Sequence, residues 1–311
     1  MEFRLLTEGS EKLSFINGWE HAFSRSFEKQ DYDWIFDPRN HVYGAVDGTV
    51  VAAGYCLLQS QAVFKGQPVI SGLCNNVFVT PEYQGCHLFT KLGRHVLLKA
   101  REQEMGILIG MPNEKALPGH RRAGWSVFSK NYYLERKGEE DLIFDEPDYN
   151  DRIISIDSLN FPLWKKAFSE FTRKIAAGRS FSIIKREDYF SWRYLERPSG
   201  DYRPFIYQEE GTVKGYVVYK YYQPFNRIHI LDMEAENETI FQELLKAAGT
   251  IKQSVSLINV LGSTIYADYF FHAGFLKSLE YSNLIAYTPL TNDPVSFGNT
   301  CNLVMGDNEV F

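Results

Sequence analysis

Residues 75–92 read NNVFVTPEYQGCHLFTKL, and this stretch decides the fold that we expect for the chain. Its first half is an apolar run typical of a buried strand, and Pro81 ends that strand. Gly85 then opens a predicted helix that runs to about Glu104. The apolar residues of this helix recur every four positions and form one face: Leu88, Leu92 and Val96. The stretch therefore predicts a strand followed by a helix that packs on a sheet.

Similar patterns lie on both sides of this stretch. Residues 41–47 and 50–64 flank a turn at Gly48 and predict a β-hairpin. Residues 106–112 predict a short apolar strand, and a helix-like segment containing His120 follows it. The second half of the chain shows the same kinds of pattern. Two helices are predicted, over 186–196 and, with amphipathic character, over 238–252. Four strands are predicted, over 202–208, 215–222, 227–235 and 255–263. The order predicts a mixed α/β fold that occurs twice.

A charged segment separates the two halves of the pattern. Residues 136–152 contain many charges together with Pro147, which is typical of a boundary between domains. A chain of 311 residues also exceeds the usual length of one domain. We therefore predict an N-terminal domain over 1–150 and a C-terminal domain over 151–311. The sequence FFHAGF at 270–275 echoes RRAGW at 121–125, which indicates an internal duplication.

Composition argues against several classes of protein. The formal net charge of −6 disfavours general nucleic-acid binding, which needs a basic face to neutralise phosphates. We expect no membrane insertion, because no window offers the roughly 18 apolar residues that span a bilayer. The first residues include acidic side chains where a signal peptide is basic, and the four cysteines lack CxxC spacing. These features predict a cytoplasmic protein with no bound metal, as a monomer or a homodimer.

The stretch that decides the fold also carries a motif. Residues 79–85 fit V-x-P-x-Y-[RQ]-G, which resembles the acyl-CoA-binding motif of the GNAT acetyltransferase superfamily. The resemblance implies two tandem domains, each a mostly antiparallel sheet flanked by helices, with a V-shaped splay between strands at the acyl-CoA site. Free N–H groups at the helix start would bind the pyrophosphate of the coenzyme. His87 departs from the family, which usually has a glycine there.

A second motif follows at the spacing of the family. Residues 113–125 match N-x-x-A-x-x-x-Y-x-x-x-G-[FW], with His120 in place of the tyrosine. In the family this tyrosine often protonates the departing CoA thiolate, so the resemblance implies that His120 is a general acid. Imidazole suits this role because its pKa of about 6.5 lies near neutrality. The alternative is a solvated loop histidine beside Arg121 and Arg122.

The resemblance also assigns the residues that contact the coenzyme and the acceptor amine. The coenzyme contacts are Val77, Phe78, Val79, Gln84, Gly85, Cys86, His87, Leu88, Phe89 and Asn113. Asn75 and Asn76 lie in an otherwise apolar strand, where GNAT enzymes place groups that hold the amine or an activating water. Asn76 is therefore also a candidate catalytic residue. The alternative is a β-bulge in which both amides only satisfy the backbone.

The second half reads ENETIF at residues 236–241, where the first half has its CoA motif. We therefore expect this half to bind the acceptor and not the coenzyme. A guanidinium pairs well with phosphate, aromatic rings suit a sugar or a base, and a carboxylate accepts from sugar hydroxyls. The candidate substrate contacts are Arg193, Tyr221, Tyr222 and Asp232.

The tandem arrangement resembles bacterial tandem-GNAT sugar N-acyltransferases, which acylate amino sugars carried on a nucleotide. This resemblance implies transfer from acyl-CoA to the amine of a dTDP- or UDP-linked amino-deoxy sugar, as in O-antigen or capsule synthesis. The amine would attack the thioester directly in a ternary complex. Two alternatives stay open: a GNAT enzyme that acts on a peptide, polyamine or peptidoglycan-precursor amine, and a degenerate module that only binds ligands. A zinc site of Cys86, His87 and His120 is a remote third.

Overall fold

The structure is a computed structural model that describes residues 1–137, 151–248, 256–262, 265–291 and 301–307. The helices in these ranges are α1 (Gly9–Phe23), α2 (Tyr32–Ile35), α3 (Leu88–Glu102), α4 (Leu117–Ala123), α5 (Phe161–Ala177), α6 (Glu187–Phe190), α7 (Glu238–Ala248) and α8 (Ala267–His272). The strands are β1 (Glu2–Leu5), β2 (Asn40–Asp47), β3 (Val50–Phe64), β4 (Gln67–Val79), β5 (Ile107–Gly110), β6 (Ser126–Lys137), β7 (Ile153–Ser155), β8 (Phe181–Ile183), β9 (Tyr202–Glu209), β10 (Thr212–Tyr222), β11 (Arg227–Ala235), β12 (Leu257–Leu261), β13 (Leu276–Tyr287) and β14 (Cys301–Asn302). These elements divide into two compact units.

The first unit contains residues 1–64, 68–130 and, late in the chain, 282–291. Its sheet has the order β1-β2-β3-β4-β5, and the C-terminal part of β13 lies next to β5. The pairs β1–β2, β2–β3 and β5–β13 are antiparallel, whereas β4–β5 is parallel because α3 forms a crossover between these two strands. One face of the sheet is covered by α3, whose apolar stripe packs on the strands: Leu88, Leu92, Val96, Leu97 and Ala100.

The parallel pair in the first unit separates part-way along β4. Residues Ser71 to Cys74 of β4 pair with Ile107 to Gly110 of β5. Strand β5 ends there, but β4 continues to Val79. The last residues of β4 therefore extend beyond β5, at the place where the family resemblance implies a V-shaped splay. The predicted mixed α/β class with flanking helices is confirmed.

The second unit contains the described residues among 65–67, 131–281 and 301–307. Its sheet has the order β6-β12-β11-β10-β9-β7, in which the β11–β12 pair is parallel and the β6–β12, β10–β11, β9–β10 and β7–β9 pairs are antiparallel. Helix α7 connects β11 to β12 as α3 connects β4 to β5. The succession from β2 to β6 (three strands, helix, strand, helix, strand) recurs from β9 to β13. The two units thus share one order of elements.

Most predicted elements are present, but four helices differ from the prediction. The helix predicted from Gly85 begins at Leu88, because the preceding residues form a loop. Sequence reasoning missed α1 and α5 altogether. The second half of the helix predicted over 186–196 is a π-helical turn, Ser191–Leu195. The end of the helix predicted to residue 252 lies outside the described residues.

Candidate functional site

The end of β4 has an irregular backbone at Asn76, which we call the β4 bulge. Asn76 has φ 44°, a left-handed conformation that interrupts the extended backbone of the strand. Its Nδ2 donates to Oδ1 of Asn75 at 3.3 Å. Consecutive side chains of a regular strand point to opposite faces, so this contact is a consequence of the bulge. The bulge lies in the part of β4 that extends beyond β5.

The loop between β4 and α3 forms the second part of the site. Gly85 has φ +82°, and a Cβ at this position would have no protein atom within 4 Å beyond its chain neighbours. His87 has φ 59° and ψ 20°, the left-handed region that the family usually fills with glycine. Histidine is one of the residues that tolerate this region better than most. The departure at His87 therefore preserves the conformation of the loop, although it adds a side chain.

The start of helix α3 has features that suit an anion. Within the described part of the chain, the N-cap residue His87 makes no side-chain capping bond. The first turn carries no acidic residue, and Lys91 contributes a positive charge there. The first N–H groups of a helix lack intrahelical partners and lie at the positive end of the helix dipole. This helix start is therefore an anion-binding position.

The corresponding helix start in the second unit is different. Oδ1 of Asn237 accepts from the Ile240 N–H at 3.0 Å, so one of the donors at the start of α7 is capped. Glu238 places a carboxylate in the first turn of α7, where it would repel a phosphate. The contrast supports the prediction that the coenzyme binds the first unit only.

The predicted coenzyme contacts differ in what their side chains do. Phe78 is 4% exposed and packs edge-on against Phe15 of α1, with ring centroids 5.0 Å apart. Leu88 is buried on the opposite face, where Val77 and Val79 are partly buried. These residues therefore offer main-chain groups to a ligand. The exposed members of the set are Gln84, Gly85, Cys86, His87 and Asn113, whereas Phe89 is half-buried.

Asn113 has a structural role in the start of α4. Its Oδ1 accepts from the Ala116 N–H at 2.9 Å, which fixes the turn before the helix. Asn283, on the part of β13 that belongs to the same unit, donates to the Pro112 carbonyl at 3.3 Å and to Glu114 Oε1 at 3.1 Å. The loop after β5 is thus held in place from both sides.

His120 is enclosed by aromatic rings. It is 2% exposed, and its ring lies 4.9 Å from Phe89, 5.7 Å from Trp125 and 5.8 Å from Tyr55 between centroids. Its Nδ1 lies 3.2 Å from the Tyr55 hydroxyl. Burial lowers the pKa of His120 to about 4, because the apolar surroundings disfavour the imidazolium. His120 is therefore neutral at pH 7 and is not the solvated loop histidine of the alternative reading.

The pKa of His120 predicts an effect of pH on stability. The unfolded chain binds a proton at His120 below about pH 6.5, whereas the folded chain does so only below about pH 4. The folded state thus becomes less stable relative to the unfolded chain as the pH falls from about 6.5 to about 4. We expect the wild type to lose about 2 kcal/mol more than His120→Gln between pH 7.5 and pH 5 in urea unfolding. Parallel pH profiles for the two proteins would contradict this assignment.

The structure places two of the predicted substrate contacts in the core of the second unit. Arg193 is 1% exposed; its Nε donates to the Gly306 carbonyl at 3.2 Å and its Nη1 to the Tyr202 hydroxyl at 2.9 Å. Asp232 is also 1% exposed and accepts hydrogen bonds from two tyrosine hydroxyls. Buried side chains with such partners hold the fold together. We therefore assign Arg193 and Asp232 a structural role in place of the predicted contact with a substrate.

The other two predicted substrate contacts lie near the end of β10. Tyr221 is half-buried, and its hydroxyl donates to Oδ1 of Asn226 at 2.9 Å. Tyr222 is exposed, with its ring centroid 5.5 Å from Phe225 and 5.7 Å from His229. These tyrosines form an accessible aromatic surface on the second unit.

Sequence reasoning missed Trp19, which contacts the bulge. Nε1 of Trp19 donates to Oδ1 of Asn76 at 2.9 Å. A signal was present, because Phe15, Trp19 and Phe23 recur every four residues in the first part of the chain. This period predicts one aromatic face of a helix.

Two further observations concern metal sites and membrane spans. Among the residues that the structure describes, no cluster of three or more histidine, cysteine, aspartate or glutamate side chains could hold a metal ion. Over the same ranges, no helix combines the length and the apolar character needed to cross a bilayer.

The loop at Gly85 and His87 and the start of α3 lie where the GNAT resemblance places the coenzyme. Residues 2–128 match the family described as "Acetyltransferase (GNAT) domain". This part of the chain is similar to the GNAT superfamily, and it covers less than half of the 311 residues. No curated protein matches the sequence.

Three solved structures with similar folds are distant from this chain in sequence. A probable N-acyltransferase from Enterococcus faecalis V583 has a TM-score of 0.71 at 16% identity, covering 93% of this chain and 72% of the other. A GCN5-related N-acetyltransferase from Anabaena variabilis gives 0.69 at 14% identity, with 93% and 73% covered. The N-myristoyltransferase of Saccharomyces cerevisiae with bound myristoyl-CoA gives 0.62 at 9% identity, with 92% and 82% covered. At these identities the similarity concerns the fold alone.

Proposed function

We propose that this protein is an N-acyltransferase that takes an acyl group from acyl-CoA and transfers it to a primary amine. One observation carries the proposal: the left-handed loop at Gly85 and His87 leads into an α3 N-terminus that has neither a side-chain cap nor a carboxylate. Such a loop suits the pyrophosphate of CoA, because backbone N–H groups and the helix dipole both favour the anion. The match of residues 2–128 to the GNAT family supports the same activity.

The end of β4 that extends beyond β5 would hold the rest of the coenzyme. Main-chain groups near Val77 and Phe78 lie beyond the β4–β5 pairing and would polarise the thioester carbonyl. The amine then attacks that carbonyl, so that a C–N bond forms, the C–S bond breaks and the amine proton passes to solvent. No covalent enzyme intermediate is required, since positioning of the two reactants lowers the barrier.

His120 would support this step without acting as a charged acid. Its pKa of about 4 means that the imidazolium is scarce at pH 7. A thiol has a pKa of about 8.5, so a thiolate leaves at neutral pH without a strong acid beside it. We propose that His120 orders the aromatic cluster of Tyr55, Phe89 and Trp125 under the start of α3.

For the acceptor we propose an amino-deoxy sugar linked to a nucleotide. The resemblance to tandem-GNAT sugar N-acyltransferases supports it, and Tyr221 and Tyr222 offer aromatic surface for a sugar or a base. The burial of Arg193 and Asp232 removes two of the four residues that favoured this acceptor. A peptide amine is the second candidate, because the fold is also similar to that of N-myristoyltransferase. We propose a cytoplasmic location for either activity.

Calorimetry and a thiol-release assay test the proposal. Wild-type protein is titrated with CoA and then assayed with acetyl-CoA or myristoyl-CoA and three amines: a dTDP-linked 4-amino-4,6-dideoxy sugar, triglycine and spermidine. Binding of CoA with amine-dependent thiol release supports an N-acyltransferase, and the preferred amine identifies the acceptor class. Binding without release from any amine would favour the ligand-binding module. Failure to bind CoA at all would refute the proposed function.

A further inference from the structure

Helix α1 carries a row of aromatic residues that packs against the end of β4. Phe15 is fully buried, with its ring centroid 5.0 Å from that of Phe78. Trp19, one turn further along, lies 5.0 Å from Phe23 and 5.5 Å from Phe27 between centroids. These contacts fix the position and the tilt of the Trp19 indole.

A glycine lets α1 approach β4 closely. A Cβ on Gly18 would lie 3.0 Å from the Phe78 ring and 3.1 Å from Cγ2 of Thr80. The helix therefore passes so near the strand that the next side chain, Trp19, reaches the bulge. There its Nε1 donates to Oδ1 of Asn76 at 2.9 Å.

The hydrogen bond falls on the one residue of β4 that has a left-handed backbone. Asn76 has φ 44°, which costs free energy for any residue with a Cβ. A competing extended conformation at Asn76 would straighten the strand and rotate the main chain of the residues that follow. Anchoring the side chain of Asn76 opposes that rotation, because the indole is held by its own ring contacts.

We propose that Trp19 is a positioning residue, which holds the β4 bulge through Asn76 and thereby directs main-chain groups near Val77 at the thioester carbonyl. This inference rests on the proposed acyltransferase function. Apolar packing between α1 and β4 does not need the indole N–H, since Phe15 and Phe78 provide it. The indole N–H therefore affects the direction of the main-chain groups near Val77 more than the stability of the fold.

Three variants separate this role from simple packing. Trp19→Phe keeps a ring and removes the donor, so we expect kcat for acetyl-CoA-dependent thiol release to fall about tenfold with little change in the KM for acetyl-CoA. Asn76→Gly removes the acceptor of this hydrogen bond, and glycine adopts positive φ without an anchor, so its activity is the reference for the double variant. In the Asn76→Gly background, Trp19→Phe should cost no further activity. Phe27→Leu is the control, since it disturbs the same ring cluster and keeps the donor.

Hydrogen exchange gives a readout that does not depend on activity. We expect the amides of β4 around residues 77–79 to exchange faster in Trp19→Phe than in wild type or Phe27→Leu, and the Asn76→Gly background to abolish this difference. Equal exchange in Trp19→Phe and wild type would overturn the inference. So would a loss of activity in Asn76→Gly far beyond that of Trp19→Phe, which would make the amide itself catalytic. If wild type binds no CoA, the proposed function fails, while exchange still decides whether Trp19 holds the bulge.

Discussion

Replacing Asp232 with asparagine is expected to lower the free energy of unfolding by about 4 kcal/mol. Asp232 is buried on β11, where Oδ1 accepts from the Tyr216 hydroxyl at 2.9 Å and Oδ2 from Tyr194 at 2.9 Å. Nζ of Lys185, itself 5% exposed, lies 3.5 Å from Oδ2. Loss of the carboxylate leaves a buried ammonium without this counter-charge, which costs more than the pair contributes. Urea unfolding at pH 7 measures the effect.

A surface carboxylate next to the same strand provides a matched control. Glu236 also pairs with lysines, Lys174 at 2.8 Å and Lys214 at 3.1 Å, but it is partly exposed. Because water screens such pairs, we expect Glu236→Gln to cost less than about 1 kcal/mol. Adding Lys185→Met to Asp232→Asn should recover at least about 1 kcal/mol. Similar losses for Asp232→Asn and Glu236→Gln would show that burial of the pair does not matter.

Replacing Gly85 with valine is expected to weaken CoA binding about 100-fold, and Gly85→Ala about tenfold. A left-handed backbone costs about 1–2 kcal/mol for a residue with a Cβ, and β-branching raises this cost. Each 1.4 kcal/mol corresponds to a factor of ten in affinity. The Cβ meets no protein atom within 4 Å, so the backbone and the space for the ligand are affected, not the packing. Calorimetry with CoA measures the change.

Gly211 in the β9–β10 turn allows a direct control. It has φ +77° and equally open surroundings, but it belongs to the second unit. Gly211→Val should therefore cost stability by a similar amount and leave the affinity for CoA unchanged. If both valine variants bind CoA like the wild type, the loop at Gly85 does not hold the coenzyme.

The sequence predicted the strand-to-helix segment well because its signals are local. Pro81 ends a strand, Gly85 permits a tight approach, and the four-residue apolar period marks the face of α3. The splay was implied by the family resemblance, and the β4–β5 register shows that β4 extends beyond β5 at that place. The helix start was predicted three residues early, at Gly85, because histidine at position 87 gives no sign that it adopts φ 59°.

The site was harder to predict where burial decides the role of a side chain. Arg193 and Asp232 have the chemistry of ligand-binding residues, but the second unit encloses both and satisfies them with tyrosines and main chain. His120 matched its motif in spacing, yet the rings around it remove the charge that a general acid needs. Residue type alone does not distinguish a buried polar group from an exposed one.

The mixed α/β class and the order of most strands and helices could be read from the sequence, because they depend on periodicity and on the backbone preferences of proline and glycine. The coenzyme motif followed from the resemblance to the GNAT superfamily. Only the tertiary structure decided which polar residues are enclosed and that Trp19 reaches Asn76 across 57 positions of the chain. It also assigned residues 282–291 to the first unit. The physical reason is that solvation and hydrogen-bond partners depend on residues distant in sequence, which no local pattern encodes.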